Sequence, residues 1–148
     1  MSETFPAANT GSGPEIRSGG CLPQCGKVRF TVTGPVDDPH VCACEHCAKR
    51  SGAPFQWWLG FPMAGLKWTG AEPTWFDTHP GKTARGFCGA CGTHIAARDY
   101  GDTKAIGILA TALDHHATDP ALVPTNLNRL AEAAPWLAQY DNRHVAAG

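Results

Sequence analysis

The seven cysteines of this sequence fall into three groups along the chain, and their spacing indicates metal binding. Cys88 and Cys91 are separated by two residues and flanked by glycines, an arrangement that lets the backbone curl so that its N–H groups point at both sulfurs. Such donors stabilise thiolate over thiol, and the thiolate is the form that binds a metal ion. The pair therefore supplies half of a tetrahedral zinc site.

Cys21 and Cys25 are the candidates for the other half. Zinc sites commonly take their ligands in pairs whose members lie about two to four residues apart, and this pair meets that limit. Cys21 and Cys25 also directly precede a predicted strand. An antiparallel neighbouring strand that carries Cys88 and Cys91 would therefore place four sulfurs around one ion. For Cys88 and Cys91, the alternatives to zinc are a redox dithiol or a rubredoxin-type iron site, because iron accepts the same thiolates. For Cys21, the alternative is a free thiol at the edge of a flexible segment.

Cys42, Cys44 and Cys47 lie within six residues and can occupy three corners of a tetrahedron, leaving the fourth open. Catalytic zinc keeps such an open corner, where it binds water or a substrate thiol. His40 and His46 lie close enough in sequence to close it, so a structural zinc with three cysteines and one histidine is the main alternative. The seven cysteines thus divide into four that would saturate one zinc ion and brace the fold, and three that would leave a second zinc ion accessible.

Length and composition limit the fold class and the partners. The 148 residues fit one domain, and at this size a core buries about 68–70% of the unfolded chain's surface without help from metals or crosslinks. Glycine (17) and proline (12) are frequent and charged residues make up only 17%, which favours a loop-rich β protein over a helical bundle. The net charge of −1 provides no basic footprint, so nucleic acid is not an expected partner.

The sequence contains no membrane or export signal that we recognise. No apolar run approaches the roughly 20 residues of a membrane span, and the N-terminus lacks a basic head followed by an apolar stretch. We therefore expect a cytoplasmic protein without membrane contact, in which the cysteines are metal ligands or catalytic thiols rather than disulfides. Residues 1–16 are expected to be a flexible N-terminal segment, residues 17–142 one domain and residues 143–148 a C-terminal tail.

Strand patterns dominate the predicted domain. Residues 27–33 alternate polar and apolar side chains and are rich in β-branched residues, so Val28, Phe30 and Val32 are expected to line one buried face. Residues 55–61 predict a second strand. Shorter strands bounded by glycine, proline or aspartate are expected at residues 66–69, 74–78, 93–98 and 104–109. Many short strands imply antiparallel sheets.

One helix is predicted near the C-terminus. Residues 126–134 carry apolar side chains at helical spacing, with Thr125 or Asn126 as the cap and Pro135 as the stop. The five tryptophans are expected to pack in the core and the sheets, and one or two of them could also wall a substrate pocket. The remaining histidines are expected to be surface or supporting groups, namely His79, His94, His115, His116 and His144.

Several motifs, spread over nearly the whole chain after residue 18, resemble one family. They are Gly-Gly-Cys at 19–21, Cys-Gly-Lys-Val-Arg-Phe at 25–30, Cys-Ala-Cys-Glu-His-Cys-Ala-Lys-Arg-Ser-Gly at 42–52, Gly-Phe-Cys-Gly-Ala-Cys-Gly at 86–92, Ala-Leu-Asp at 112–114 and Ala-Pro-Trp-Leu at 134–137. In this order they are similar to the glutathione-dependent formaldehyde-activating enzymes and to relatives such as centromere protein V.

The resemblance implies a mainly β fold, a β-tent of several coiled antiparallel sheets with short helices and two zinc ions per chain. The implied ligands are Cys21, Cys25, Cys88 and Cys91 for a structural zinc, here called the quartet, and Cys42, Cys44 and Cys47 for a catalytic zinc, here called the trio. The family usually has one residue inside its first pair, whereas this sequence has three, so we expect an insertion that bulges outward while both sulfurs still bind. The family also tends to carry a short strand near residues 125–129, where the spacing here predicts a helix.

The activity that the resemblance implies is that of a carbon–sulfur lyase, which joins glutathione and formaldehyde reversibly as S-hydroxymethylglutathione. A small thiol such as glutathione and an aldehyde are therefore the expected partners. Three thiolates make zinc a weak Lewis acid, so uptake of the substrate thiol in place of water is favoured over polarisation of the aldehyde. Glu45 or His46, within the trio's loop, is expected to move the proton. The competing interpretation is a non-catalytic zinc-binding module for a protein partner, since fold does not fix function.

Overall fold

The structure is a computed structural model that describes residues 15–129 and 132–139. The predicted flexible segment lies outside these residues except for its last two positions, and the predicted tail lies outside them entirely. Within the described residues, ten strands form two sheets, and α1 (Glu45–Ser51) is the α-helix. The mainly β fold predicted from the sequence is confirmed. No helix in the described part of the chain is long and apolar enough to cross a membrane.

The smaller sheet is antiparallel and comprises β1 (Ile16–Gly20), β2 (Arg29–Thr33) and β5 (Leu66–Trp68), with β2 in the centre. The predicted buried face is confirmed, because Val28 is 2% exposed and both Phe30 and Val32 are fully buried. The sequence does not predict β1, since its serine and two glycines carry no apolar alternation. The strand forms because its backbone pairs with that of β2, a partner that its own sequence does not indicate.

The larger sheet has seven strands. In spatial order they are β10 (Asn126–Arg129), β3 (Asp37–Cys42), β4 (Gln56–Pro62), β9 (Asp102–Leu109), β8 (His94–Asp99), β7 (Thr83–Phe87) and β6 (Thr74–His79). Neighbours are antiparallel except for β10 and β3, which run parallel. The predicted strands that correspond to β4, β6, β8 and β9 are confirmed. The sequence does not predict β3 and β7, because proline, arginine or glycine interrupts their apolar pattern.

The helix predicted over residues 126–134 is wrong. Asn126–Arg129 form β10, in which Asn126 pairs with His40 of β3, and residues 130 and 131 lie outside the described part. The predicted stop residue, Pro135, begins a short 3-10 turn, Pro135–Gln139. The edge of β3 offers a row of backbone donors and acceptors, and pairing with this edge overrides the local helical spacing.

The hydrophobic core connects the two sheets. Phe30 of β2 packs edge to face on Trp68, with ring centroids 5.7 Å apart. Leu59 and Phe61 of β4 are each 1% exposed, and Ile108 of β9 is fully buried. These side chains belong to one continuous cluster that includes residues of both sheets. The two sheets are therefore packed into one unit, which fixes the positions of the loops that carry the cysteines.

Removing the Phe30 ring is expected to destabilise the fold strongly. Because the ring is fully buried between the sheets, Phe30→Ala should lower the free energy of unfolding by about 3–5 kcal/mol. The matched control is Phe76→Ala, whose ring is 56% exposed and which should lose less than about 1 kcal/mol. Urea unfolding followed by tryptophan fluorescence measures both values. Equal losses would contradict the placement of the core.

Candidate functional site

The quartet lies where the two sheets meet. Cys21 follows β1 and Cys88 follows β7, so each sheet contributes one pair of sulfurs. All four Sγ atoms lie within 4.8 Å of one another, and the Sγ atoms of Cys25 and Cys88 are 3.9 Å apart. The seven cysteines are free thiols in the structure, with no disulfide among them. Four soft donors converging from two loops fit a tetrahedral metal ion.

Two tight turns shape the quartet. The N–H of Gly92 donates to the carbonyl oxygen of Cys88 at 2.8 Å, and Gly92 has a φ of +80°, which favours glycine. In the other turn, the N–H of Cys25 donates to the carbonyl oxygen of Leu22 at 2.9 Å. Residues 22–24 are exposed, while Cys21 stays with the other three sulfurs. The extra residues inside this pair therefore bulge outward, as expected.

Hydrogen bonds favour a thiolate within the quartet. The Thr93 hydroxyl lies 3.1 Å from Sγ of Cys91, and this contact, together with the Thr93 backbone N–H, lowers the pKa of Cys91 to about 6. The N–H of Val28 donates to Sγ of Cys21 at 3.4 Å. A thiolate that is already favoured at neutral pH binds a metal ion without first releasing a proton.

The trio is assembled by the turn from β3 into α1. Cys42 ends β3, Cys44 caps α1 and Cys47 lies in its first turn. The N–H of Cys47 donates to Sγ of Cys44 at 3.4 Å, and the three Sγ atoms lie within 4.8 Å of one another. Burial raises the pKa of Cys47 to about 12, with a further contribution from the two neighbouring thiols. Burial thus disfavours an isolated thiolate here, and the trio fits a metal ion better than a free nucleophile.

No fourth ligand joins the trio among the described residues: no histidine or carboxylate atom there lies within 4.8 Å of all three sulfurs. The Nδ1 atom of His40 lies 2.7 Å from the backbone oxygen of Asp38. The ring of His46 stacks on that of His79, with centroids 4.8 Å apart. Three converging sulfurs without a fourth protein ligand are the arrangement that leaves a metal ion open to a substrate.

A cavity of about 540 Å³ opens beside the trio, and we call it the trio cavity. All three cysteines line it, together with Trp58 and Arg85. Its floor has little side-chain bulk, because Gly60, Gly107 and Ala97 are successive partners across β4, β9 and β8. A Cβ atom on Gly107 would lie 3.5 Å from Cε3 of Trp58. The volume falls in the range of small-molecule sites, about 300–1,000 Å³.

The trio cavity carries acidic side chains at the end away from the sulfurs. Along β4, the register places Cys42 opposite Gln56 and Asp37 opposite Gly60, so the carboxylate end and the sulfur end are separated. The acidic residues that line the cavity are Asp37, Asp38, Asp99 and Asp102. A ligand that extends from the trio along the floor therefore passes from a sulfur environment to a negatively charged one.

Arg85 is a functional candidate that the sequence analysis missed. Its guanidinium Cζ lies 4.8 Å from the centroid of the Trp58 ring, at the wall of the trio cavity. Its buried Nε has no hydrogen-bond partner among the described residues, and such an unpartnered donor costs about 1–3 kcal/mol. The signal in the sequence was an arginine three residues before Cys88, in a segment for which no strand was predicted.

The predicted proton-transfer residues line a second cavity of about 600 Å³, to which the trio contributes Cys44. Glu45 forms an ion pair with Lys49 at 3.1 Å, and both side chains are largely exposed. His46 has a buried Nε2 without a hydrogen-bond partner among the described residues. Burial lowers the pKa of His46, and the nearby charge of Arg85 contributes. The roles of Glu45 and His46 stay predictions.

Two sheets joined at the cysteine quartet, with the cysteine trio beside a cavity, define a β protein with two candidate metal sites. The family model described as glutathione-dependent formaldehyde-activating enzyme matches residues 16–126, a range that contains all seven cysteines. The chain belongs to this family. A crystal structure of a Rhodobacter sphaeroides protein has a similar fold, with a TM-score of 0.54 and 20% identity, covering 66% of this chain and 88% of that chain. A search of curated proteins gave no match.

Loss of one cysteine is expected to have different effects in the two groups. We expect two metal ions per wild-type chain. Cys88→Ser should remove one ion and lower the free energy of unfolding by about 2 kcal/mol or more, because the quartet links the two sheets. Cys44→Ser should also remove one ion but leave stability nearly unchanged, since the trio lies within one turn. Elemental analysis and urea unfolding measure these effects. A single ion in the wild type, or equal destabilisation, would contradict the assignment.

Proposed function

We propose that this protein is a zinc-dependent carbon–sulfur lyase that acts on the adduct of glutathione and formaldehyde, or of a related small thiol and aldehyde. The observation that carries the proposal is the convergence of three cysteine sulfurs on a cavity, without a fourth ligand among the described residues. Membership of the family supports chemistry related to glutathione and formaldehyde. Because the seven cysteines are free, we place the reaction in the reducing cytoplasm.

Both donor sets fit zinc, since thiolates are soft ligands and their spacing allows tetrahedral coordination. A zinc ion held by the trio would supply positive charge that favours the thiolate form of a substrate thiol. The quartet has no position left for a substrate, so its role is to brace the two sheets. Iron in the quartet is the alternative, which the elemental analysis distinguishes.

The proposed reaction forms a bond between the thiol sulfur and the carbonyl carbon, and the thiol proton is transferred to the carbonyl oxygen. Trp58 and Ile106 provide apolar surface in the trio cavity, which limits the access of water. His46 is the first candidate for the carrier of the proton; it lines the second cavity, which meets the trio cavity at Cys44. Glu45 is the second candidate and would first have to leave its ion pair with Lys49.

Exchange spectroscopy by NMR tests the proposed reaction. In a mixture of glutathione and formaldehyde, the metal-loaded protein should speed the exchange between glutathione and S-hydroxymethylglutathione by about tenfold or more over the background. Cys44→Ser should return the rate to background, because it breaks the trio and leaves the quartet intact. The control Lys82→Ser, at an exposed turn, should keep the full rate. No acceleration by the wild type would favour the non-catalytic module for a protein partner.

Filling the floor of the trio cavity is expected to weaken binding of the thiol. The branched side chain of Gly107→Val would extend toward Trp58 into the cavity, and we expect KM for glutathione to rise about tenfold with the metal content unchanged. Gly101→Val is the matched control, because nothing lies within 4 Å of a Cβ atom at that position. Steady-state kinetics together with elemental analysis measure the effect. An unchanged KM in Gly107→Val would place the thiol outside this cavity.

A further inference from the structure

Arg85 brings a positive charge without a counter-ion to the wall of the trio cavity. No carboxylate oxygen in the described part of the chain lies within 4.0 Å of its guanidinium, although the same cavity is lined by Asp37, Asp38, Asp99 and Asp102. Its buried Nε also lacks a hydrogen-bond partner among the described residues. The buried Nε atoms of Arg50 and Arg98 also lack partners among the described residues, so what distinguishes Arg85 is that its side chain lines the trio cavity.

The surroundings of Arg85 hold the guanidinium in place. The residue lies in the middle of β7, where its backbone is paired with Phe76 on one side and Ala97 on the other. The guanidinium stacks on Trp58, with Cζ 4.8 Å from the ring centroid. Stacking uses the face of the group, and the buried Nε is out of reach of a ligand, so the edge left for a planar acceptor is the one formed by the two terminal NH2 groups. A carboxylate matches that edge with two parallel hydrogen bonds.

Other positive groups near Arg85 strengthen the attraction for an anion. Burial lowers the pKa of Arg50, and the positive charge of Arg85 contributes. The same charge contributes to the lowered pKa values of His46 and His94, for which burial is the larger cause. The positive charges of Arg85 and Arg50 repel each other, and an anionic ligand at Arg85 would relieve this repulsion.

We propose that Arg85 binds a carboxylate of the thiol substrate and thereby fixes the orientation of that substrate in the trio cavity. The inference rests on the proposed function, because it takes the ligand to be a thiol whose sulfur lies at the trio. It adds a substrate class: thiols that carry a carboxylate, as glutathione does, are selected over thiols that carry none. Arg85 is in this sense a specificity-determining residue, distinct from the metal ligands.

If Arg85 instead balanced the charge of the trio, the measurements would give different results. Three thiolates and one divalent ion have a net negative charge, which a nearby guanidinium could balance. Loss of Arg85 would then lower the metal content, and carboxylates on the ligand would have no effect. A carboxylate-binding role leaves the metal content unchanged and makes affinity depend on the ligand's charge. The experiment below measures both quantities.

Binding of S-methylglutathione tests the inference without turnover, because this ligand keeps both carboxylates but has no free thiol. By calorimetry on the metal-loaded protein, Arg85→Gln should bind it about tenfold or more weakly than the wild type. Arg85→Lys, which keeps the charge but loses the planar edge, should lie between the two. Arg98→Gln is the matched control, since Arg98 stacks on Trp75 at 4.2 Å and has an equally unpartnered buried Nε but does not line the cavity.

The diethyl ester of S-methylglutathione provides a comparison that needs no variant to fold. The wild type should bind the free acid about tenfold or more tightly than the ester, whereas Arg85→Gln should bind the two alike. The inference is overturned if Arg85→Gln binds the free acid as tightly as the wild type does. It is also overturned if the wild type does not distinguish acid from ester, or if Arg85→Gln loses metal together with affinity.

These results are independent of the exchange experiment. Catalysis that persists in Arg85→Gln, with an unchanged preference for the free acid, would refute the carboxylate site and leave the lyase proposal standing. Binding of S-methylglutathione that depends on Arg85, in a wild type that does not accelerate exchange, would refute the lyase proposal and support the carboxylate site.

Discussion

Four sulfurs from two different sheets have to meet within 4.8 Å, and much of the molecule serves this constraint. One pair lies in the loop between β1 and β2, and the other lies in the loop between β7 and β8. Neither loop can reach the other unless the core packs β2 against the larger sheet. Core packing and the convergence of the sulfurs therefore depend on each other. The packed side chains position the two loops, and the sulfurs in those loops hold the two sheets together.

The quartet and the trio contain the same donor atoms but differ in their surroundings. The quartet has four sulfurs, tight turns and exposed loop residues. The trio has three sulfurs at the start of α1, of which Cys42 and Cys47 are buried, and a cavity with a glycine floor, a stacked arginine and acidic side chains at its far end. The two groups thus differ in the number of sulfurs and in access to a cavity rather than in the type of donor atom. The reaction proposed above uses the β3–α1 turn and the sheet face beside it.

Local sequence patterns predict several of these features. The alternation around Val28, Phe30 and Val32 predicts β2, and cysteine spacing predicts the division into four and three that the structure reproduces. Features that depend on distant partners were missed. β10 forms because an edge of β3 is available, and the floor of the cavity exists because small residues of three strands align in register. No local sequence pattern singles out Arg85, because the residues that make it notable, Trp58 and the trio, are distant in sequence.

The spacing of the two cysteine groups has a consequence for the order in which the chain acquires its metals. The trio's ligands lie within six consecutive residues, so a short stretch of nascent chain already contains all of them. The quartet's ligands run from Cys21 to Cys91, and they come together only after both sheets are in place. Closing so long a loop carries an entropic cost that only the finished core offsets. If both groups bind the metal ions proposed above, capture at the trio is a local event during synthesis, while capture at the quartet marks the completion of folding.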